Sequence, residues 1–190
     1  MDDATPPVSP AAASLATAIG EAINRRIAAC EAAGNEVQKK KWLVELKALT
    51  LPAYAEALAS MGFESSKLDG LAVYATMKLR RLVSAFLGTG SADPYTVEIL
   101  RNAKALAGEG GALSNKAMVA SLSLKVKLEG ITLPSRRRGS ESTASTQASS
   151  TRQVLAALGA GRMVGEGKDR RFEIDFGHPV VARIVGGAAA

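Results

Sequence analysis

The stretch LDGLAVYATMKLRRLVSAFLG, residues 68–88, decides the fold class. Its apolar residues recur three or four positions apart, which is the spacing of one face of an α-helix. They are Leu68, Leu71, Ala72, Ala75, Leu79, Leu82, Val83 and Phe86. Gly88 follows them, at the place where a glycine commonly ends a helix. The stretch therefore predicts an amphipathic helix of about five turns with one long buried face.

The same spacing extends to both sides of this stretch. It recurs in residues 14–34, 36–49, 50–62 and 93–108. Capping residues stand at the start of these runs, for example Asp93-Pro94 in the last one, and glycines follow several of them. We expect residues 14–110 to form a bundle of about five helices joined by short connections. Residues 1–13, rich in Pro and Ala, lack an apolar period and predict a flexible arm.

The period changes from 3.6 to two after the bundle. In residues 121–128 leucine and valine alternate with serine and lysine, which predicts a strand with one buried face. Residues 162–176 predict a β-hairpin around a glycine-rich turn, and residues 180–185 predict a final strand. Residues 135–150 are rich in Ser, Thr and Arg without apolar periodicity, so they predict a disordered basic loop.

The predicted fold class is therefore α+β: an N-terminal helical bundle of about five helices followed by a small antiparallel β-sheet, with a disordered Ser/Thr/Arg-rich loop. The expected segments are 1–13 (flexible arm), 14–110 (helical bundle), 111–134 (strand segment), 135–150 (disordered basic loop) and 151–190 (short helix, β-hairpin and final strand).

Composition and charge narrow the possible functions. A single cysteine, Cys30, excludes an internal disulfide framework, and a single histidine, His178, excludes a multi-histidine metal site. The sequence has no apolar run of about 18 residues, and its start lacks signal-peptide features. We therefore expect an intracellular, soluble protein, in the cytoplasm, the nucleus or a virion.

The net charge of +6 is confined to the C-terminal part of the chain. Residues 1–110 contain 12 basic and 12 acidic residues, whereas residues 111–190 contain 12 basic and 6 acidic residues. A polyanion would therefore be attracted first to the C-terminal part.

Basic residues of this part are the candidate nucleic-acid-binding groups, because lysine and arginine neutralise backbone phosphates. They are Arg136, Arg137, Arg138, Lys125, Lys127, Lys168, Arg170 and Arg171. The alternative interpretation is that the arginines only keep a loop solvated, while the two strand lysines pair with Glu173 and Asp175. Ser140 follows Arg137-Arg138-Gly139 and is a possible phosphorylation site.

No constellation of residues points to catalysis, a cofactor or a metal. His178 precedes a proline in a turn and is expected at the surface, and Cys30 lies on the apolar face of a helix. The glycines of residues 159–167 lack the spacing of a phosphate loop. Three lysines next to Trp42 suggest base stacking, but the leucines around Trp42 favour a place in the core.

The C-terminal order of a short helix, Gly159-Ala160-Gly161 and Arg171-Phe172-Glu173 resembles rod-shaped plant-virus coat proteins over less than a fifth of the chain. Our first hypothesis is a non-enzymatic nucleic-acid-associated binding or assembly protein, either a virion or nucleoprotein-like subunit or a DNA- or RNA-binding regulator. The alternative is a structural adaptor that binds another protein and no nucleic acid. Open strand edges favour self-association in either case.

Overall fold

The computed structural model describes residues 8–106, 112–136 and 139–186, and within them the chain is mainly helical with one small sheet. The helices are α1 (Pro10–Ala32), α2 (Glu36–Leu49), α3 (Pro52–Ser60), α4 (Val73–Leu87), α5 (Pro94–Ala105), α6 (Asn115–Leu122), α7 (Glu141–Ala157) and α8 (Pro179–Gly186). The strands are β1 (Ala112–Ser114), β2 (Gly161–Val164) and β3 (Arg171–Ile174). This architecture confirms the predicted α+β fold class.

Helix α4 lies at the centre of the fold, where it packs against α2, α3, α7 and α8. Its stripe of Leu79, Leu82 and Val83 is fully buried. The helix begins later than the spacing predicted, because Ser65–Gly70 forms a 3₁₀ turn and only Val73 starts the α-helix. Gly88 ends it with a φ of 73°, a conformation that glycine adopts without strain.

The first helix begins before the predicted position. The Ser9 hydroxyl accepts a hydrogen bond from the Ala12 amide, and Pro10 occupies the first helical position. Residues 10–13 of the predicted arm are therefore helical, while residues 1–7 lie outside the described residues.

The predicted hairpin is confirmed. Strands β2 and β3 pair in antiparallel register, with Met163 opposite Phe172. Strand β1 pairs with the other edge of β3, so the sheet order is β1-β3-β2. Phe172 and Ile174 are buried, which places one face of β3 against the core.

The predicted strand over residues 121–128 is wrong. Helix α6 ends at Leu122, and the chain then turns, leaving Leu124 exposed. Ser114 caps α6 by accepting a hydrogen bond from the Ala117 amide, and every residue from 117 to 122 is buried. Because α6 is buried on all sides from residue 117 to 122, this part shows no amphipathic period. The alternation over residues 121–128 spans its last residues and the turn that follows, and it was misleading.

The predicted disordered loop over residues 135–150 is also wrong from Glu141 onwards, where α7 begins. Ser140 caps this helix by accepting a hydrogen bond from the Thr143 amide. Ala144 and Ala148 are fully buried against neighbouring helices. Because this buried face consists of small residues, it gave no strong apolar signal in the sequence.

The predicted final strand over residues 180–185 is wrong as well, because this segment forms helix α8. Pro179 is the first helical residue, a position where its missing amide hydrogen costs nothing. Val180, Val181 and Ile184 are buried at helical spacing, and α8 packs against α4 and α5. The β-branched residues favoured a strand locally, and tertiary packing outweighs that preference.

Candidate phosphate-binding groove

A groove of about 720 Å³ lies between the start of α6, one face of α7 and the β2–β3 hairpin. We call it the hairpin groove. Its lining residues are Ser114, Asn115, Lys116, Ser149, Arg152, Gln153, Ala156, Met163, Gly167, Lys168, Arg170 and Phe172. They include four cations and no carboxylate.

The four cations of the hairpin groove are Lys116, Arg152, Lys168 and Arg170. None of them forms an ion pair or a side-chain hydrogen bond with another described residue. Six other cations of the described residues form ion pairs with acidic partners, in the pairs Arg25–Asp69, Lys39–Glu31, Lys78–Asp93, Arg81–Asp93, Arg80–Glu45 and Arg162–Glu173. The hairpin groove therefore concentrates uncompensated positive charge in one depression, where low-dielectric walls strengthen its field.

Helix α7 supplies one wall of the groove through residues at positions i, i+3, i+4 and i+7. These are Ser149, Arg152, Gln153 and Ala156. This spacing places them on one face of the helix. Buried residues of α7, such as Thr151 and Leu155, lie between them in sequence and hold this face toward the groove.

The hairpin turn supplies Lys168 and Arg170. Gly165 starts the turn with a φ of 72°, and a Cβ atom there would lie 2.7 Å from the Asp169 carbonyl oxygen. Only glycine fits this conformation without strain. The turn thereby directs Lys168 and Arg170 into the groove, while its acidic residues, Glu166 and Asp169, do not line it.

Three of the lining side chains are apolar, and we call them the floor of the groove. Phe172 lines it although its exposed fraction is only 2%, so the ring belongs to the core and the groove together. A Cβ atom on Gly161 would lie 2.6 Å from the Phe172 ring, so this glycine allows β2 to approach the ring closely. Met163, with an exposed fraction of 37%, and Ala156 complete the floor.

The structure brings together only part of the predicted set. Lys168 and Arg170 line the groove, whereas Arg171 is exposed beside it without lining it. Lys125 and Lys127 are exposed beyond the far end of α6, which is about 12 Å from its start for this eight-residue helix. Arg137 and Arg138 lie outside the described residues.

The side chain of Arg136 is hydrogen-bonded to the backbone of the protein itself. Its guanidinium donates hydrogen bonds to the carbonyl oxygens of Ala120 and Ser123, each at 2.8 Å, and to that of Val126. It thereby satisfies carbonyl groups that are left unpaired where α6 ends. Arg136 is consequently half-buried, and its charge is directed at the protein.

Sequence reasoning missed Lys116 and Arg152. The sequence predicts a strand segment around Lys116, and it places Arg152 in a short helix far from the basic run of residues 136–138. The signal that could have found Arg152 is the polar face of Ser149, Arg152 and Gln153 at helical spacing.

The remaining residues considered in the sequence do not line the hairpin groove. His178, expected at the surface, is instead buried to an exposed fraction of 9%, and its ring nitrogens have no hydrogen-bond partner among the described residues. Cys30 and Trp42 are buried, as expected. Glu173 pairs across the hairpin with Arg162, its Oε2 lying 2.8 Å from the arginine Nε, and not with the predicted lysines.

A buried polar cluster joins α4, α5 and α7. Lys78 forms an ion pair with Asp93 and a 3.3 Å hydrogen bond with the Thr96 hydroxyl, which lies 3.1 Å from the Thr151 hydroxyl. Burial lowers the pKa of Lys78, and the hydrogen bond to Asp93 opposes this shift. Every charge here has a partner, so the cluster serves to connect three helices.

Comparisons with protein-family models, curated proteins and solved structures find no match to this chain. No helix within residues 8–106, 112–136 and 139–186 is long and apolar enough to span a membrane. The same ranges contain no group of three His, Cys, Asp or Glu side chains that could hold a metal ion.

Proposed function

We propose that the protein is a non-enzymatic nucleic-acid-binding subunit that contacts backbone phosphates through the hairpin groove. The observation that carries this proposal is the convergence of Lys116, Arg152, Lys168 and Arg170 on one depression without a carboxylate. Arginine and lysine at such a site replace the counterions of a phosphate backbone, and this release drives binding. The basic excess of residues 111–190 adds long-range attraction.

Salt dependence of binding is the decisive test. Each phosphate neutralised contributes about 0.7 to 0.9 to the log–log slope of affinity against salt. Replacing the four groove cations by alanine should therefore weaken binding of a labelled oligonucleotide and flatten this slope by up to about 3. Fluorescence anisotropy at several salt concentrations measures both quantities.

A matched control separates the groove from net charge. Lys40, Lys47, Lys125 and Lys127 are exposed and have no ion pair with another described residue. Their replacement by alanine removes the same charge, so it should flatten the slope far less. Equal effects of the two quadruple variants, or no binding by the wild-type protein at low salt, would contradict the proposal.

One observation favours the alternative of an assembly subunit that binds no nucleic acid. Val37 and Val44, one heptad apart on the outer face of α2, have exposed fractions of 66% and 53%. Exposed apolar residues grouped in this way are typical of protein–protein contacts. Under this alternative, the mass of the nuclease-treated protein rises with concentration in sedimentation equilibrium, and Val37→Glu with Val44→Glu abolishes the rise.

A further inference from the structure

The apolar floor of the hairpin groove is not explained by phosphate binding alone. Phosphates need cations and hydrogen-bond donors, and an apolar surface adds nothing to their affinity. Phe172, Met163 and Ala156 nevertheless line the groove together with the four cations. Met163 and Ala156 are exposed there, whereas the Phe172 ring, which Gly161 approaches closely, is buried in the core.

Two amide side chains line the groove as well. Asn115 and Gln153 line the groove, are exposed, and make no side-chain hydrogen bond with another described residue. An amide offers a donor and an acceptor together, which matches the edge of a nucleobase. The groove thus presents apolar, amide and cationic groups together.

The size of the groove fits one nucleotide unit. Its volume of about 720 Å³ lies within the range of about 300–1,000 Å³ that small-molecule sites occupy. Bases in a duplex are stacked and paired, so they do not reach such a floor without being extruded. Bases of a single strand are free to do so, and their faces pack on apolar and aromatic side chains.

We propose that the hairpin groove accepts an unstacked base of a single-stranded nucleic acid against the exposed side chains of Met163 and Ala156, while the four cations hold the adjoining phosphates. This inference rests on the proposed function and names its substrate class. Cations on three separate elements span more than the phosphate of one nucleotide requires, so the ligand is a polymer.

The test compares strands that differ only in their bases. Labelled oligothymidylate, oligoadenylate RNA, an abasic oligonucleotide of equal length and a hairpin duplex are titrated onto the full-length protein by anisotropy. Loss of one stacked base weakens binding by roughly 5- to 150-fold. We expect the abasic strand and the duplex to bind more weakly than either base-containing strand by a factor in this range.

Substitutions of Met163 in the floor of the groove provide a second test. Met163→Asp should remove the preference for base-containing strands over the abasic strand, whereas Met163→Leu should keep it. Leu124→Asp, which adds the same charge at an exposed site outside the groove, is the control for electrostatic repulsion. Circular dichroism melting confirms that each variant is folded.

The outcomes separate this inference from the proposed function. Equal affinity for abasic and base-containing strands, or tighter binding of the duplex, overturns the base site and leaves phosphate binding intact. Competition by a mononucleotide as effective, molecule for molecule, as competition by the oligomer overturns the polymer assignment. Absence of all binding overturns the proposed function itself.

Discussion

Arg136 donates its guanidinium hydrogens to carbonyl oxygens where α6 ends, although its place in a run of three arginines suggested a phosphate contact. An arginine near a helix C-terminus satisfies unpaired carbonyl groups and interacts favourably with the helix dipole. The local structure of the preceding helix therefore determines the role of this residue, and the basic run by itself does not reveal it.

Arg136→Ala should lower the free energy of unfolding by about 1–3 kcal/mol, because it leaves these carbonyl oxygens without their donor. Urea denaturation measures the change. Lys125→Ala, in the exposed turn that follows α6, is the control and should change stability by less than about 0.5 kcal/mol. If the two variants were equally stable, the capping role of Arg136 would be wrong.

Glu45 gives a prediction about pH. Its carboxylate has an exposed fraction of only 1%, and Arg80 Nε lies 3.1 Å from Oε1 and 3.0 Å from Oε2. Burial raises the pKa of Glu45 above 4.5, and the charge of Arg80 opposes this shift. A raised pKa means that the stability contributed by this group is fully present below pH 4.5 and is lost as the pH rises through its folded pKa.

The stability of the wild type relative to Glu45→Gln should therefore decrease as the pH rises from below 4.5 to neutrality. Urea unfolding of both proteins across this range measures the difference, and subtracting one from the other cancels the other titrating groups. A difference that stayed constant or increased with pH would show that the Arg80 ion pair outweighs burial.

At the scale of elements, the sequence predicted what depends on a strong local period. Leu79, Leu82 and Val83 of α4 and Phe172 and Ile174 of β3 lie on buried faces, as their spacing indicated. The short helix predicted over residues 151–158 is the second half of α7. Helix α6 and residues 141–150 of α7 were missed because their burial does not follow an amphipathic stripe of large residues, whereas α8 was missed because its β-branched residues favour a strand. In α7 the buried face is made of Ala144 and Ala148, whose importance depends on the close approach of neighbouring helices.

The residues of the candidate site were also predicted only where a local pattern was clear. Lys168 and Arg170 were predicted because they stand in a hairpin turn that the sequence indicated clearly. Lys116 and Arg152 are remote from them in sequence, and the packing of α6 and α7 around β1 and β2 brings them to the same groove. Convergence of this kind depends on tertiary contacts that no local pattern encodes.

The Lys78–Asp93 ion pair joins α4 to the start of α5, and it yields a prediction about the stability of the fold. Asp93 also caps α5, accepting a 3.0 Å hydrogen bond from the Thr96 amide. Asp93→Ala leaves a buried lysine without its counter-charge and should reduce the free energy of unfolding by about 3–5 kcal/mol. The double variant Lys78→Met with Asp93→Asn removes both charges and keeps a capping side chain, so it should be far less destabilised.

Chemical denaturation of the two variants, with the wild type beside them, measures these free energies. A loss below about 1 kcal/mol in Asp93→Ala would mean that water reaches Lys78 and that the cluster is not held by its charges. If the double variant were as unstable as Asp93→Ala, the loss of unfolding free energy would come from packing and not from electrostatics.

At the scale of the whole molecule, one hydrophobic core joins all the helices to the sheet. It runs from Ile19 and Ile23 of α1 through Leu82 of α4 to Phe172 of β3 and Val181 of α8. Since Phe172 also lines the hairpin groove, the proposed binding surface rests directly on this core. Helices α1, α2 and α3 contribute to the core but contribute no residue to the groove.

Binding in the groove should therefore stabilise the whole fold while protecting only part of its surface. A ligand that binds only the folded state adds about 2.7 kcal/mol when its concentration is about 100 times Kd. We expect a saturating oligonucleotide to raise the melting temperature of the wild type and of the control variant lacking Lys40, Lys47, Lys125 and Lys127. The variant lacking the four groove cations should show no increase.

Hydrogen exchange locates the site in the same complex. Amides of residues 161–174 and of the start of α6 should exchange more slowly with the oligonucleotide bound, because the ligand covers the hairpin and Lys116 directly. Exposed amides near the helix ends of α1 and α2 open by local fraying, which binding at a remote groove does not suppress. Protection centred on α2, around Val37 and Val44, would instead place the contact on the bundle and favour the assembly alternative.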